Sequence, residues 1–215
     1  MCIHREVPAD QITPVTAYAE LARKGACLLE STVSGDGGRH SFIGIESIAT
    51  FTATGQKSEL KMGSTVESFD GDPYEILAAL EKRFGLPAVG FITYDAIRCK
   101  EKIPAKHPDH FHLPDFFFQF YRSSLLFDHE KGIVTFRADS NEEIDRLMGQ
   151  LLEGKKKLPL LNEKREIEAT PDITDAEYCK IIEKAKKFVI AGDVFQIVPS
   201  RTGHPRRSAS AHRAR

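Results

Sequence analysis

The spacing of apolar and polar residues along the chain predicts helices and strands in mixed order. Apolar residues at helical spacing behind capping residues predict helices at about 14–24, 73–84, 141–152 and 174–191. Asp72 is the predicted start of the second helix and Gly85 its predicted end, and capping boxes at 140–143 and 174–177 predict the starts of the last two. Runs rich in Ile, Val, Phe and Thr predict strands at 26–31, 41–54 with a break near 46–47, 59–62, 88–95, 116–127, 133–138 and 194–198. Together these elements predict an α+β fold with mixed or antiparallel β-sheets and packed helices.

The periodic pattern stops between residues 153 and 172. This stretch is rich in Lys and Glu, carries Pro159 and Pro171, and shows no sustained period, so it predicts an exposed linker between two domains. Residues 202–215 have four arginines, no acid and no large apolar side chain, which predicts a disordered basic tail. A domain that begins near 173 and gives way to such a tail leads us to expect a truncated chain.

Composition narrows the cellular setting. The chain has 30 basic and 31 acidic side chains, so it has no excess of positive charge that would attract nucleic acid or a membrane surface. Its four cysteines are widely spaced without a Cys-x-x-Cys pair, as expected of reduced thiols. No apolar run is long enough to span a bilayer, and no secretory signal is apparent at the N-terminus. We therefore expect a cytoplasmic protein.

Four segments carry a resemblance to a known family. The run Ile190–Ser200, IAGDVFQIVPS, closely resembles the opening of the catalytic domain in the anthranilate synthase component I family. Three upstream segments resemble the same family in the same order: Leu28–Ser31 followed by 38–44, then 89–98, then Leu113–Asp115 leading to Leu126–His129. The resemblance implies a regulatory N-terminal domain at 10–152, a linker at 153–172 and the start of a chorismate-binding catalytic domain at 173–201.

The resemblance also implies an activity. Members of the family add ammonia to chorismate and eliminate pyruvate to give anthranilate, the first step of tryptophan biosynthesis. Mg²⁺ holds the substrate carboxylate, a glutamine amidotransferase subunit supplies the ammonia, and L-tryptophan is the feedback inhibitor. The metal ligands belong to a region that would follow residue 201, so no metal site is expected in this chain, and the chain alone is expected to be an inactive fragment.

Four residues are candidates for function on this resemblance. Gln196 occupies the strand position where relatives that add water carry a lysine base, and an amide is not a base at neutral pH. It either takes part in catalysis or pairs within a buried polar network. Ser31 and Glu30 correspond to the tryptophan feedback site, since a hydroxyl and a carboxylate can bind the polar end of an amino acid. His40, which replaces a usual tyrosine, is a further candidate contact there.

Two other functions remain open on the sequence. An aminodeoxychorismate synthase component I would share the architecture and the substrates, although the segment Phe195–Ser200 is closer to the anthranilate version. A stand-alone module that senses an amino acid or binds the amidotransferase is the second alternative. The cluster His107–His112 could suggest zinc, but its spacing fits no common closed site.

Overall fold

The computed structural model describes residues 2–10, 12–31, 40–104, 109, 111–154 and 169–205. The chain forms two compact units, Met1–Leu158 and Pro159–Arg215. The first unit is an α+β fold with two five-stranded sheets, in which all paired strands are antiparallel. This confirms the fold class that the hydrophobic pattern predicts.

The strands of the first unit are β1 (Ile3–Pro8), β2 (Cys27–Glu30), β3 (His40–Gly44), β4 (Ser47–Thr54), β5 (Lys57–Met62), β6 (Thr65–Asp70), β7 (Ala88–Ile92), β8 (Phe116–Tyr121), β9 (Ser124–Asp128) and β10 (Ile133–Ala138). Sheet A has the strand order β1-β10-β9-β3-β2, and sheet B has the order β6-β5-β4-β8-β7. The helices are α1 (Pro14–Leu21), α2 (Pro73–Phe84) and α3 (Asn141–Glu153), with a 3-10 helix at Tyr94–Cys99.

Local capping explains where the first helices begin and end. Thr13 caps α1 and Asp72 caps α2, each by accepting a hydrogen bond from a backbone N–H of the first turn. Helix α2 ends at Gly85, whose φ of 59° is in the left-handed region that glycine adopts without steric cost. The structure confirms the predicted starts of both helices and the predicted end of α2.

Each sheet has its own buried core. Sheet A packs with α1 and α3 around a cluster of buried side chains: Ala17, Leu21, Ile43, Ile45, Leu125, Phe127, Val134, Phe136, Ala138, Ile144 and Leu147. Sheet B packs with α2 and the 3-10 helix around a second cluster: Ala49, Phe51, Ala53, Leu60, Leu77, Leu80, Ala96, Phe116 and Phe120. The alternating burial along β10 and β4 reflects strands with one face turned to a core.

The two sheets meet at Tyr121, the last residue of β8. Its side chain is fully buried, and its hydroxyl donates a hydrogen bond of 2.8 Å to the carbonyl oxygen of Gly25, just before β2. The ring lies against Gly44 of β3, where a Cβ atom would come within 2.4 Å of the ring. Burial, and next the hydrogen bond with Cys27, raise the pKa of the Tyr121 phenol well above its usual range. Tyr121 therefore stays neutral and ties sheet B to the β2–β3 pair of sheet A.

The chain crosses between the sheets at two neighbouring corners. The predicted break near 46–47 is confirmed, because β3 ends at Gly44 in sheet A and β4 begins at Ser47 in sheet B. The single strand predicted at 116–127 is wrong, because β8 ends at Tyr121 in sheet B and β9 begins in sheet A. The N–H of Ile45 donates to the carbonyl of Ser123 at 3.1 Å, so the two corners support each other. Three polar residues, Arg122–Ser124, interrupt the apolar run at the second corner, but they include no Gly or Pro that would predict the end of a strand.

Other boundaries differ from the predictions by a few residues. The strand predicted at 88–95 ends at Ile92 and is followed by the 3-10 helix. The first helix ends at Leu21, before the predicted 24, because the N–H of Arg23 donates to the carbonyl of Ile45 instead of continuing the helix. Strands β1 and β6 were not predicted. Both alternate half-buried and exposed residues at the edge of a sheet, which leaves a weak apolar pattern.

The capping box predicted at the start of α3 is only half formed. Ser140 accepts a hydrogen bond from the N–H of Glu143, as a cap requires. The Glu143 carboxylate instead pairs with Arg146, one turn further along the helix. A guanidinium offers two donors in a fork, and this pairing displaces the return bond to the Ser140 backbone.

The second unit contains β11 (Ala169–Pro171), α4 (Asp175–Ala191) and β12 (Gly203–Pro205), with β11 and β12 paired antiparallel. Thr174 and Glu177 form the predicted capping box of α4. The strand predicted at 194–198 is wrong, because no strand of the described residues pairs with this segment. Residues 155–168 of the predicted linker and 206–215 of the predicted tail lie outside the described residues. Within the described ranges, no helix has the length and apolarity needed to cross a membrane.

Two glycines test the packing of the first unit. Gly90 of β7 lies so close to β8 that an added Cβ would sit 1.8 Å from the Phe117 carbonyl oxygen, whereas Gly149 of α3 has open space. We expect Gly90→Ala to lower the free energy of unfolding by about 1–3 kcal/mol or more, because backbone atoms must move. Gly149→Ala, the matched control, should raise it by up to about 1 kcal/mol through helix propensity. Urea unfolding measures both, and equal effects of the two variants would contradict this packing.

The Asp72 carboxylate predicts a pH dependence of stability. The Lys100 ammonium, and next the Tyr74 N–H, hold the pKa of Asp72 below its ordinary value. Because the pKa is lower in the folded chain than in the unfolded chain, this stabilisation is complete above the unfolded pKa of about 4 and is lost as the pH falls through the folded pKa. Asp72→Asn keeps an acceptor for the cap but removes the ion pair. Its stability should therefore fall less than that of the wild type between neutral and acidic pH in urea titrations, and parallel curves would refute this.

Candidate effector site

Strand β2 carries the candidate effector residues and lies at one edge of sheet A. Leu28 packs against the core of sheet A, Leu29 is 50% exposed, and Glu30 and Ser31 are exposed at the end of the strand. Strand β3 pairs with one side of β2, and no described strand pairs with the other side. The outer edge of β2 therefore presents backbone N–H and C=O groups that a small ligand could bind.

The register of sheet A decides which of the candidate residues share a face. Glu30 is in register with Ser41, and Ser41 is in register with Phe127, whose side chain is in the core beneath α1 and α3. His40 is in register with Asp128. Successive side chains of a strand point to opposite faces. Glu30 and His40 therefore lie on opposite faces of sheet A, and one ligand could contact both side chains only by reaching around the sheet edge.

Ser41 has a buried hydroxyl beside Glu30. Its side chain is only 2% exposed, and its Oγ lies 2.7 Å from Nε2 of His129, with which it shares a hydrogen bond. The His129 ring stacks on Phe127, with centroids 6.3 Å apart and ring planes 17° apart. A buried hydroxyl needs such a partner, because leaving it unpaired costs free energy.

Asp128 organises the turn that follows β9 and faces His40. Its Oδ1 accepts hydrogen bonds from the N–H groups of Glu130 at 3.1 Å and Lys131 at 3.0 Å. Its Oδ2 lies 3.3 Å from Lys131 Nζ and 3.8 Å from His40 Nε2. The bond from the Lys131 N–H, and next that from its ammonium, hold the pKa of Asp128 below its usual range. A negative charge therefore faces His40 at neutral pH.

Gln196 lies in the second unit, whereas Ser31, Glu30 and His40 lie in the first. Its side chain is exposed, and the neighbouring Phe195 is 99% exposed. Within this unit a groove of about 270 Å³ runs along α4 and includes Ile197 and Pro199. The assignments of all four candidate residues stay predictions.

Metal binding finds no support among the described residues. Of the cluster His107–His112, residues 107, 108 and 110 lie outside the described part of the chain. Nδ1 of His112 is 3.8 Å from Oδ2 of Asp109. Across the described ranges, no three His, Cys, Asp or Glu side chains are placed to hold a metal ion.

Three residues near the end of β2 were not among the predicted site residues: Ser41, Asp128 and His129. The segment Leu126–His129 carried part of the family resemblance but received no role. An Asp-His pair between an apolar strand and Gly132 does indicate a turn with a capping carboxylate. That His129 contacts Ser41 follows only from the pairing of β3 with β9, which joins residues far apart in the chain.

The chain is similar in sequence to known proteins that carry the same name. Anthranilate synthase component 1 of Thermus thermophilus is 32% identical over 217 residues, covering 89% of this chain and 45% of that protein. Anthranilate synthase component 1 of Cereibacter sphaeroides is 29% identical over 233 residues, covering 92% and 47%. This chain spans about half the length of the curated relatives it matches.

The fold and the family model agree with these relatives. The crystal structure of anthranilate synthase component I from Streptococcus pneumoniae superposes with a TM-score of 0.56 at 21% identity, covering 87% of this chain and 46% of that one. At this identity the superposition supports the fold alone. The family model described as chorismate binding enzyme matches residues 26–213. Because that match extends over most of the sequence, this chain belongs to the family of chorismate-binding enzymes.

Proposed function

We propose that this chain is part of the large subunit of an anthranilate synthase, which converts chorismate and ammonia into anthranilate, pyruvate and water. The observation that carries the proposal is the match of about nine-tenths of the chain to relatives named anthranilate synthase component 1. The motif segments of the chain follow the same order as in that family. The fold of this chain is similar to that of a component I crystal structure over 87% of its length.

Gln196 is proposed to favour ammonia over water as the nucleophile. Neutral ammonia is a strong enough nucleophile to attack the chorismate ring before it loses a proton, whereas water is a weaker nucleophile and needs a base. The Gln196 amide can donate and accept hydrogen bonds but cannot take up a proton at neutral pH. Its exposed position in the second unit leaves it accessible to a ligand.

Ser31 and Glu30 are proposed to bind the polar end of L-tryptophan as a feedback inhibitor. The end of β2 offers a carboxylate, a hydroxyl and an open strand edge within two residues. A carboxylate suits an ammonium, and strand-edge N–H groups suit a carboxylate. His40, which lies on the other face of sheet A from Glu30, supports this site less directly.

On the basis of the family resemblance, we also propose that the protein binds a glutamine amidotransferase partner and magnesium and that it is cytoplasmic. When bound, magnesium would neutralise the substrate carboxylate and favour loss of the leaving group. No described residue is assigned as its ligand.

A chimeric enzyme tests the catalytic role. Residues 1–201 of this chain would be joined to the part of the Thermus thermophilus relative that follows its matched region. We expect the chimera to form anthranilate from chorismate, ammonia and Mg²⁺, measured by fluorescence, because each part supplies what the other lacks. This chain alone and the relative's part alone should form none. An inactive but folded chimera would favour a stand-alone binding module.

Gln196→Lys in the chimera should lower ammonia-dependent anthranilate formation by about tenfold or more, since a lysine base activates water as a competing nucleophile. A hydroxylated isomer of chorismate should appear in its place, as separated by liquid chromatography. Gln56→Lys, at an exposed turn, is the control and should change neither product. Unchanged products in the Gln196 variant would remove it from the catalytic proposal.

Ser31→Ala in the same chimera tests the effector site. A hydrogen bond to a charged group is worth about 1.5–3 kcal/mol, so the inhibitory concentration of tryptophan should rise by about ten- to a hundredfold. Activity without tryptophan should change little, and Ser68→Ala, at an exposed site on β6, should behave as the parent. Equal inhibition of all three proteins would mean that Ser31 does not bind the effector.

A further inference from the structure

We infer that Asp128 and His129 are positioning residues. They contact the start of β3 from both faces of sheet A, and through β3 they keep the end of β2, with Glu30 and Ser31, in place. The contacts that support this lie within the first unit. Its meaning for regulation rests on the proposed function, in which Glu30 and Ser31 bind an amino acid. Asp128, the last residue of β9, and His129, the first residue of the following turn, are here called the Asp128–His129 clamp.

The two members of the clamp lie beside two consecutive residues of β3. On one face, Oδ2 of Asp128 lies 3.8 Å from Nε2 of His40. On the other face, Nε2 of His129 lies 2.7 Å from Oγ of Ser41. Neighbouring side chains of a strand point in opposite directions, so the beginning of β3 is held from above and below. The clamp thus fixes the part of β3 that pairs with the end of β2.

The turn that carries the clamp is itself fixed. Asp128 accepts hydrogen bonds from the N–H groups of two turn residues, Glu130 and Lys131. The ring of His129 stacks on Phe127, which is 1% exposed in the core of sheet A. A side chain positioned by its own turn and by the core loses little freedom when it also bonds Ser41.

The hydroxyl of Ser41 connects the clamp to Glu30. One row of side chains runs across sheet A through Val134, Phe127, Ser41 and Glu30, as the register of the strands shows. The first three are buried and Glu30 is exposed. Ser41 is the polar residue among the three buried ones, and in this row it is the direct neighbour of Glu30, which is proposed to bind the effector.

A buried polar pair such as Ser41 and His129 adds little to general stability in comparison with an apolar pair of the same shape. Replacing both partners of a buried hydrogen bond by apolar groups of similar shape is often nearly neutral, whereas removing one partner is costly. A hydroxyl held by an imidazole instead gives a directional contact that specifies one position of β3 and, through the register, of Glu30. This favours a positioning role over a contribution to stability alone.

The test uses the full chain and two readouts. Amide hydrogen exchange is followed at β2 and β3, with β1 as the reference because it forms the opposite edge of sheet A. Binding of L-tryptophan is followed by NMR shifts of residues 28–31. His129→Leu removes the hydrogen bond, and His129→Gln can restore it. Ser41→Ala removes the same bond from the other side without leaving an unpaired hydroxyl, so it serves as the second variant if His129→Leu fails to fold. His112→Leu, whose side chain is 84% exposed, is the matched control.

We expect His129→Leu and Ser41→Ala to speed exchange in β2 and β3 by about tenfold or more, with little change in β1, because the loss is local. Tryptophan affinity should fall by about tenfold in both, while His129→Gln and His112→Leu should resemble the wild type. Equal acceleration in β1 and β2, or tryptophan affinity that stays unchanged while β2 loosens, would overturn the inference.

Failure of the proposed function is distinguishable from failure of the clamp. If the wild-type chain gives no shifts with tryptophan at millimolar concentration, the effector assignment fails for this chain. The exchange data then decide the clamp by themselves: loosening confined to β2 and β3 supports it, and uniform or absent loosening refutes it.

Discussion

The close approach of Tyr121 to Gly44 is the constraint on which the arrangement of the first unit depends. A Cβ at residue 44 would lie 2.4 Å from the ring, so the two sheets can meet at this distance only where β3 has a glycine. The same side chain bonds the Gly25 carbonyl at the start of β2. One buried phenol therefore locates the end of β3 and the start of β2 together. Because the register of a sheet is set along its whole length once one pair is fixed, the far end of the β2–β3 pair follows.

At that far end the same register brings polar chemistry to the sheet edge. It sets Glu30 beside Ser41 and His40 beside Asp128, on opposite faces. A shift by one residue would exchange the faces and would bury His40 in place of Ser41. The candidate effector residues at the end of β2 are thus placed by packing about four residues away, at Gly44, together with hydrogen bonds from the turn after β9. Regulation at this edge would depend on the rigidity of the sheet as well as on the residues that touch a ligand.

Sequence reasoning succeeded where the determinants are local. Asp72 and Gly85 mark the ends of α2 by capping chemistry that any helix needs, and the structure confirms both. It failed where the determinants are distant contacts. The only local signal between β8 and β9 is the polar triplet at 122–124, and the corner after Tyr121 is stabilised by a contact with Ile45, far away in the chain. The candidate residue Ser31 could be named from resemblance, but the pairing of Ser41 with His129 joins residues 88 positions apart and needed the strand register.

The second unit contains one element with local determinants and one with distant determinants, next to each other in the chain. Helix α4 forms with its predicted capping box, because its hydrogen bonds lie within the helix itself. The apolar segment 194–198 has strong strand propensity but forms no strand in the described residues, because a strand needs a partner for its backbone groups. Gln196 is in that segment, whereas Glu30 lies in a strand that is paired within the chain. The geometry around Glu30 is therefore set by strand pairing within this chain. The geometry around Gln196 depends on a strand pairing that the local sequence does not supply.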